Sequence, residues 1–238
     1  MDAVVLVGGL GTRLRSLISE VPTPMAPVGE RPFLDILLED LLRSSAITRV
    51  VLAVGYKHEV VQNYFGAQAY GRDVIYAIEH EPLGTGGGIR NAIAHTKSDE
   101  VLILNGDTLF QIDVEAMVKQ HRQQQAELTM ALKPMRDFER YGAVNTESSR
   151  IVGFEEKRYR EEGLINGGIY LVNKDILNQP FLETAELPHK FSFETDFLQP
   201  HVQKMQVHSF ISDGYFIDIG IPEDYQRAQR ELNEVVAA

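Results

Sequence analysis

The sequence predicts an α/β protein on a mostly parallel central sheet, with a smaller β-rich part in its second half. Two observations carry that prediction. Through about residue 133, strand and helix patterns alternate with short connections, the signature of parallel βα units. From about residue 134, short strands separated by turns take over, and a charged amphipathic helix closes the chain. No internal repeat, low-complexity tract or flexible linker is visible. One domain over 1–238 is therefore expected, with halves of about 1–133 and 134–238.

Ala3–Val7 is a continuous apolar, β-branched run, the pattern of a strand buried on both faces. Gly8, Gly9 and Gly11 follow at once, then Thr12 and Arg13. Residues 33–44 carry Phe33, Leu34, Ile36, Leu37, Leu38, Leu41 and Leu42 at helical spacing, with Asp35, Glu39, Asp40 and Arg43 opposite. A strand over Val50–Val54, a short helix from about Glu59 to Phe65 and a strand over Val74–Ile78 come next. A glycine-rich loop then leads into a helix over Ile89–His95, and Val101–Leu104 is a fourth apolar strand. A polar helix over Val114–Gln125 and a strand over Leu128–Leu132 complete the first half. In the second half, strands are expected around 143–145, 150–156 and 164–172, with a helical turn near Asp175 and a helix near 193–202. Strands at 206–211 and 215–219 precede a helix from Pro222 to Val235. Pro222 suits a first helical turn, and Glu223 and Asp224 suit its positive end.

Composition narrows the function. With 44% hydrophobic and 24% charged residues, the chain has the make-up of an ordinary soluble globular protein. Its apolar runs are too short to span a bilayer. It opens on a charged Asp2 and a core strand without a visible signal peptide, so a cytoplasmic protein is expected. The absence of cysteine removes disulfides, thiolate metal sites and thiol nucleophiles together. A formal charge of −11 disfavours nucleic acid and anionic membranes as partners. The seven histidines show no metal-ligand spacing, and His95 and His121 read as helix-end or surface residues. No serine or threonine has a nucleophile-elbow context. An acidic chain that binds phosphate must gather its few cations at the site or recruit a divalent metal.

In open α/β sheets, ligands sit beyond the carboxyl ends of the strands, so the residues after each strand are informative. The glycine amides after the first strand favour an anion, and Arg13 adds a charged fork suited to phosphate. A Walker A loop is excluded because no lysine follows, and a dinucleotide fingerprint because Leu14 or Arg13 holds its last glycine position. After the third strand comes Glu79–Gly88, with four glycines feeding a helix N-terminus. After the fourth comes Asn105-Gly106-Asp107, where Asp107 suits either a hard cation or a tight turn. Asp218 is a lone carboxylate in the apolar stretch Phe216–Gly220, costly there unless paired or metal-bound. Asn166-Gly167-Gly168 inside a strand points to close approach of a ligand. Lys157 alone reads as a hairpin lysine, and Arg140-Tyr141-Gly142 has the same ambiguity.

Together these segments resemble the sugar-phosphate nucleotidyltransferases over nearly the whole chain. The likeness rests on Gly8–Leu14, Pro24–Val28, Glu81–Gly86, Asn105–Thr108, Arg140–Gly142, Phe154–Lys157, Leu164–Tyr170 and Ile217–Gly220. It implies a Rossmann-like nucleotidyltransferase fold that condenses a nucleoside triphosphate with a sugar 1-phosphate, releases pyrophosphate and uses Mg²⁺. Within the family the sequence is most similar to the guanylyltransferases of heptose 1-phosphates, which implies GTP and a heptose 1-phosphate as substrates. Mannose 1-phosphate guanylyltransferases and cytidylyl- or uridylyltransferases of the same fold are the neighbouring alternatives. A weakly active sugar-nucleotide sensor is the alternative from another class.

By the family pattern, nucleotide contacts fall to Leu6, Gly8, Gly9, Gly11, Thr12, Arg13, Glu81, Gly84, Thr85, Gly86 and Asp107. Gly8 to Arg13 would wrap the triphosphate, while Glu81 and Gly86 would face the base. A glutamate only accepts hydrogen bonds, which suits the N1–H and N2–H₂ donors of guanine. Asp107 and Asp218 would hold Mg²⁺, and Lys157 would meet the sugar phosphate. Tyr141, Gly142, Glu156, Asn166 and Gly167 would line the sugar pocket, and Arg13, Lys157, Asp107 and Asp218 would carry the catalysis. The chain ends soon after Asp218, so no carboxy-terminal β-helix is expected, and a homo-oligomer is compatible with the pattern. One departure stands out: Thr23 occupies the place of the family's usual lysine before Pro-Met. The flanking prolines suggest a stiff extended arm. Arg15, or less directly Arg31, is the candidate replacement cation, and a slow enzyme is the expected alternative.

Overall fold

The computed structural model describes residues 1–9, 14, 17–18, 20–178 and 187–235, excluding the side chains of 233–235. The first half runs β1 (Asp2–Leu6), a 3₁₀ turn (Thr23–Met25), β2 (Pro27–Val28), β3 (Arg31–Pro32), α1 (Phe33–Leu41), β4 (Arg49–Val54) and α2 (His58–Phe65). It continues with β5 (Gln68–Ala69), β6 (Arg72–Ile78), α3 (Gly84–Ile93), β7 (Glu100–Asn105), β8 (Thr108–Phe110), α4 (Val114–Gln123) and β9 (Leu128–Phe138). Then come β10 (Val144–Glu147), β11 (Arg150–Phe154), β12 (Arg160–Asn173) and a π-helical stretch (Phe193–Leu198) that runs into α5 (Gln199–His201). β13 (Val207–Ile211), β14 (Phe216–Asp218) and α6 (Pro222–Val235) complete it.

One ten-stranded sheet has the order β10-β11-β13-β9-β12-β7-β1-β4-β6-β5. Its core, β7-β1-β4-β6, is parallel throughout. The β-rich second half extends this same sheet, because β12 pairs antiparallel with both β7 and β9. Gly167 to Val172 are buried without interruption, as a strand covered on both faces must be. The first strand behaves likewise. Ala3, Val5 and Val7 join a core with Phe33, Leu34 and Leu37 of α1, while Val4 joins the opposite core with Ile89 and Ile93 of α3. Chain order reverses between β1 and β7, and such a switch point opens a crevice beyond the strand ends.

Three local expectations are corrected. Thr23 lies in a 3₁₀ turn, with Met25 N–H donating to Pro22 O at 2.8 Å, because Pro24 is pre-set for the first helical turn. α3 begins at Gly84, so the glycines lie inside the helix rather than in a loop before it. His121 lies in the last turn of α4, as a helix-end residue, but it is buried against the sheet and not on the surface, with Nδ1 2.8 Å from Thr129 Oγ1, and burial pushes its pKa down. Among the described residues, no helix is long and apolar enough to cross a membrane.

Asp2 fixes the start of β1. Its carboxylate accepts from Arg49 Nη2 at 2.7 Å and from the Lys97 and Ser98 amides, in a place where Asp2 is 3% exposed. Burial opposes ionisation there, but these donors prevail and the carboxyl pKa lies below its ordinary value. Asp2→Ala strands Arg49 and should cost about 3 kcal/mol of unfolding free energy in a denaturant titration. A carboxylate with a lowered folded-state pKa stabilises above its unfolded pKa and loses that contribution as pH falls through the folded one. The wild-type advantage should therefore be constant above about pH 5 and fade once pH drops below the ordinary aspartate range.

Candidate active site

The two proposed metal-holding carboxylates come from opposite halves of the chain. Gly106 N–H donates to Leu6 O at 2.9 Å, which seats Asn105-Gly106-Asp107 at the switch point between β1 and β7. The next strand, β8, pairs antiparallel with β14, with Asp218 opposite Thr108. Ile219 N–H donates to Asp107 O at 2.9 Å. A Cβ placed on Gly220 would stand 2.9 Å from Asp218 Oδ1 and 3.8 Å from Asp107 Oδ2, so both carboxylates crowd one glycine. Asp218 is half-buried at the end of a three-residue strand rather than enclosed in apolar surroundings, and its Oδ1 accepts from Gly220 N–H at 2.8 Å. Among the described residues, no group of three or more His, Asp or Glu is arranged to hold a metal. A carboxylate pair still fits Mg²⁺, which binds one or two carboxylates and completes its shell with phosphate oxygens and water.

A cavity of about 420 Å³ opens beside Asp218, and Tyr141, Gly142, Glu156, Lys157, Asn166 and Gly167 all line it. Every residue expected in the sugar half is thus in one place. Lys157 is the one cation among the described lining residues, and it stands exposed at the rim with Glu156. Burial first, and then the charge of Asp218, push the Tyr141 phenol up to about 12, so it stays protonated. Arg140 points elsewhere and clamps α6 through Asp224 at 2.7 Å. The glycines of β12 have a reason besides the ligand. The pairing with β9 shifts register between Asn166 and Tyr170, Gly168 takes φ +74, and a Cβ on Gly167 would lie 2.3 Å from the Phe110 ring.

The nucleotide side is only partly visible. Leu6, Gly8 and Gly9 stand at the end of β1 as expected, whereas Gly11, Thr12, Arg13 and Arg15 lie outside the described residues. The structure does not gather Glu81 with the cavity residues. Its side chain is 70% exposed and lies 3.1 Å from His189 Nε2. Gly84 and Gly86 are glycine for packing reasons, since Cβ atoms there would meet Phe191 at 2.5 Å and 2.1 Å. Thr85 faces the cavity wall, donating to Glu194 Oε2 at 2.9 Å.

The Nucleotidyl transferase family profile matches residues 2–235. The chain belongs to that family. This nucleotidyl transferase is 50% identical over 236 residues to the D-glycero-alpha-D-manno-heptose 1-phosphate guanylyltransferase of Aneurinibacillus thermoaerophilus, covering 99% of this chain and 100% of that one. It is 47% identical over 226 residues to the protein of the same description from Campylobacter jejuni, covering 94% of this chain and 97% of that one. In three dimensions it is similar to HddC from Yersinia pseudotuberculosis complexed with GMP-PN. That match has a TM-score of 0.82 and 34% identity, covering 97% of this chain and 98% of the other.

Sequence reasoning missed one wall of the transferase's cavity. Ser192, Glu194, Thr195 and Gln199 line it from the helical stretch after Phe191. Glu194 is the hub of that wall. Its Oε1 accepts from the buried Tyr170 hydroxyl at 3.0 Å, and that hydroxyl accepts from Asn166 Nδ2 at 2.7 Å. Its Oε2 accepts from Thr85 and from Ser192 at 3.2 Å. The chain of bonds fixes the Asn166 amide in one orientation and ties the start of α3 to the sugar side. The available signal was a carboxylate between Phe193 and Phe197, two buried rings stacked 5.4 Å apart.

Proposed function

We propose that this transferase moves GMP from GTP to D-glycero-α-D-manno-heptose 1-phosphate, giving a GDP-activated heptose and pyrophosphate. The observation that carries the reading is the cavity in which all the sugar-half residues meet Asp218, in a chain half identical to a heptose 1-phosphate guanylyltransferase over its full length. An oxygen of the sugar phosphate attacks the α-phosphorus of GTP, and the new P–O bond forms as the bond to pyrophosphate breaks. That oxygen is already ionised near neutral pH, so no general base is required. The obstacle is charge, and catalysis becomes positioning plus electrostatic stabilisation.

In this reading Lys157 meets the sugar phosphate, and the protonated Tyr141 and the fixed Asn166 orient the sugar. Arg13 and the amides after β1 hold the triphosphate. Asp107 and Asp218 would hold Mg²⁺, which supplies charge neutralisation at the phosphates. Both halves act as one unit. The test is a grid of the four nucleoside triphosphates against heptose, mannose and glucose 1-phosphates, with products identified by mass spectrometry. GDP-heptose should be the main product. Preference for mannose 1-phosphate replaces the sugar, and absence of any pyrophosphate release leaves the sensor.

The threonine at position 23 gives a further expectation. Thr23 is buried beside Pro24, which lies 3.3 Å from a Cβ position on Gly106, next to Asp107. A lysine there would extend toward the phosphates. Thr23→Lys should raise kcat/KM about tenfold, roughly 1.4 kcal/mol of transition-state stabilisation. An unchanged or lower rate means the charge comes from elsewhere, and Arg15→Ala is then the next variant to assay.

A further inference from the structure

Glu194 stands between two stretches that serve different substrates in the proposed reaction. On one side is the start of α3, where the family pattern puts Gly84, Thr85 and Gly86 against the nucleotide. Phe191 N–H donates to Leu83 O at 3.0 Å and Gly86 N–H to Phe191 O at 2.9 Å, which laces the cavity wall to this helix start. The Thr85 hydroxyl accepts from Phe193 N–H at 2.8 Å and spends its single proton on Glu194 Oε2. On the other side is Asn166 in the sugar cavity. A carboxylate only accepts, so Tyr170 must donate its one proton to Glu194 Oε1, 3.0 Å away. Burial first, and then the charge of Glu194, push the Tyr170 phenol up, so that proton stays in place. The Tyr170 oxygen is left to accept, and it takes one N–H of Asn166 at 2.7 Å. Asn166 Oδ1 in turn accepts from Gly168 N–H at 2.9 Å. Among the described residues, the second N–H of the Asn166 amide has no acceptor, and it is left for the sugar phosphate.

We infer that Glu194 is a positioning residue that couples the two substrate sites, so that a nucleotide seated on the start of α3 tightens the hold of Asn166 on the sugar 1-phosphate. The inference rests on the guanylyltransferase reading. The carboxylate fixes the sense of every hydrogen bond from Thr85 to Asn166, which makes the run one connected network. A substrate that orders Thr85 leaves Glu194, Tyr170 and Asn166 less freedom to lose when the other substrate arrives. Linkage makes the effect reciprocal, each substrate raising the affinity for the other by the same factor. A glutamine at 194 breaks the run, because its amide nitrogen cannot accept. Either Tyr170 or the pair Thr85 and Ser192 is then left without its acceptor.

The test titrates heptose 1-phosphate by calorimetry into the full chain with Mg²⁺, alone and with saturating α,β-methylene-GTP, whose carbon bridge blocks transfer at the α-phosphorus. In wild type the nucleotide should tighten sugar-phosphate binding about fivefold or more. Glu194→Gln should bring that ratio to within about twofold of unity. Glu194→Asp keeps the charge but is too short to reach both Thr85 and Tyr170, and it should lose the ratio too, which covers a poorly folding glutamine variant. Thr85→Val cuts the same run from the nucleotide side, so adding it to Glu194→Gln should lower the ratio no further. Hydrogen exchange over 164–170 should slow with the nucleotide analogue alone in wild type and not in Glu194→Gln. A role confined to holding the wall would lower both affinities and the thermal midpoint and leave the ratio as it was. An unchanged ratio in both Glu194 variants, or a wild-type ratio near unity with both ligands bound, overturns the inference. A wild type that binds neither ligand, or turns over UTP or CTP but not GTP, removes the guanylyltransferase reading itself, and this inference with it.

Discussion

Asp107→Asn and Asp218→Asn should each lower kcat/KM by at least about 10²–10³ while leaving the fold in place. The two parts of this expectation have separate grounds. Both carboxylates are half-buried and crowd Gly220, and an asparagine at 218 still offers Gly220 N–H an oxygen in the position of Oδ1. The thermal midpoint should therefore move little. What is lost is one negative charge from a pair that, in the proposed mechanism, holds Mg²⁺ against the triphosphate. Wild-type turnover should vanish with chelator and return with added Mg²⁺, and neither variant should regain wild-type rate at any Mg²⁺ concentration. Full activity in either variant would remove that residue from the site.

Much of the scaffold was legible because its signals are local. Ala3–Val7 and the parallel strands announce themselves as short apolar runs, and α6 starts at Pro222 as its capping chemistry suggests. What the sequence hides is non-local pairing. Nothing in residues 160–173 says that β12 inserts between β7 and β9, because both edges of any strand offer the same backbone N–H and C=O groups. The same limit shaped the site. The sugar-half residues were found because each lies in a recognisable short motif, and the fold then gathers them into one cavity. Glu194 carries no such motif, and its importance comes from three partners, two of which, Thr85 and Tyr170, lie far from it in the chain. That the side chain of Glu81 lies outward beside His189 is a matter of backbone path rather than residue type. The burial of His121 at the end of α4 is hidden for a related reason. A polar residue on a polar helix looks like surface until Thr129 arrives from the sheet to meet it.

Lys157→Met should lower kcat/KM by about 10²–10³, with the loss carried by the sugar phosphate and not by GTP. The structure separates this lysine from its basic neighbours. Arg158 lies 2.7 Å from Glu155, and Arg160 is paired with the same carboxylate, which these two partners hold below its ordinary pKa. Both guanidiniums are thus drawn to the one carboxylate they share, whereas Lys157 stands at the rim of the cavity that Tyr141, Asn166 and Asp218 share. A phosphate dianion entering there meets Lys157 as the described lining cation, and the interaction should strengthen as the oxygen closes on the α-phosphorus. KM for the sugar phosphate should rise and kcat should fall together, while GTP affinity measured by calorimetry without the sugar stays within about twofold. Lys157→Arg keeps the charge on a longer, planar group and should recover only part of the rate, because one compact ammonium is replaced by a fork that needs more room. If Lys157→Met turns over at nearly the wild-type rate, the sugar phosphate is neutralised from the loop after β1 instead. Arg13→Ala should then show the loss in its place, and with it a fall in GTP affinity that the Lys157 variant lacks.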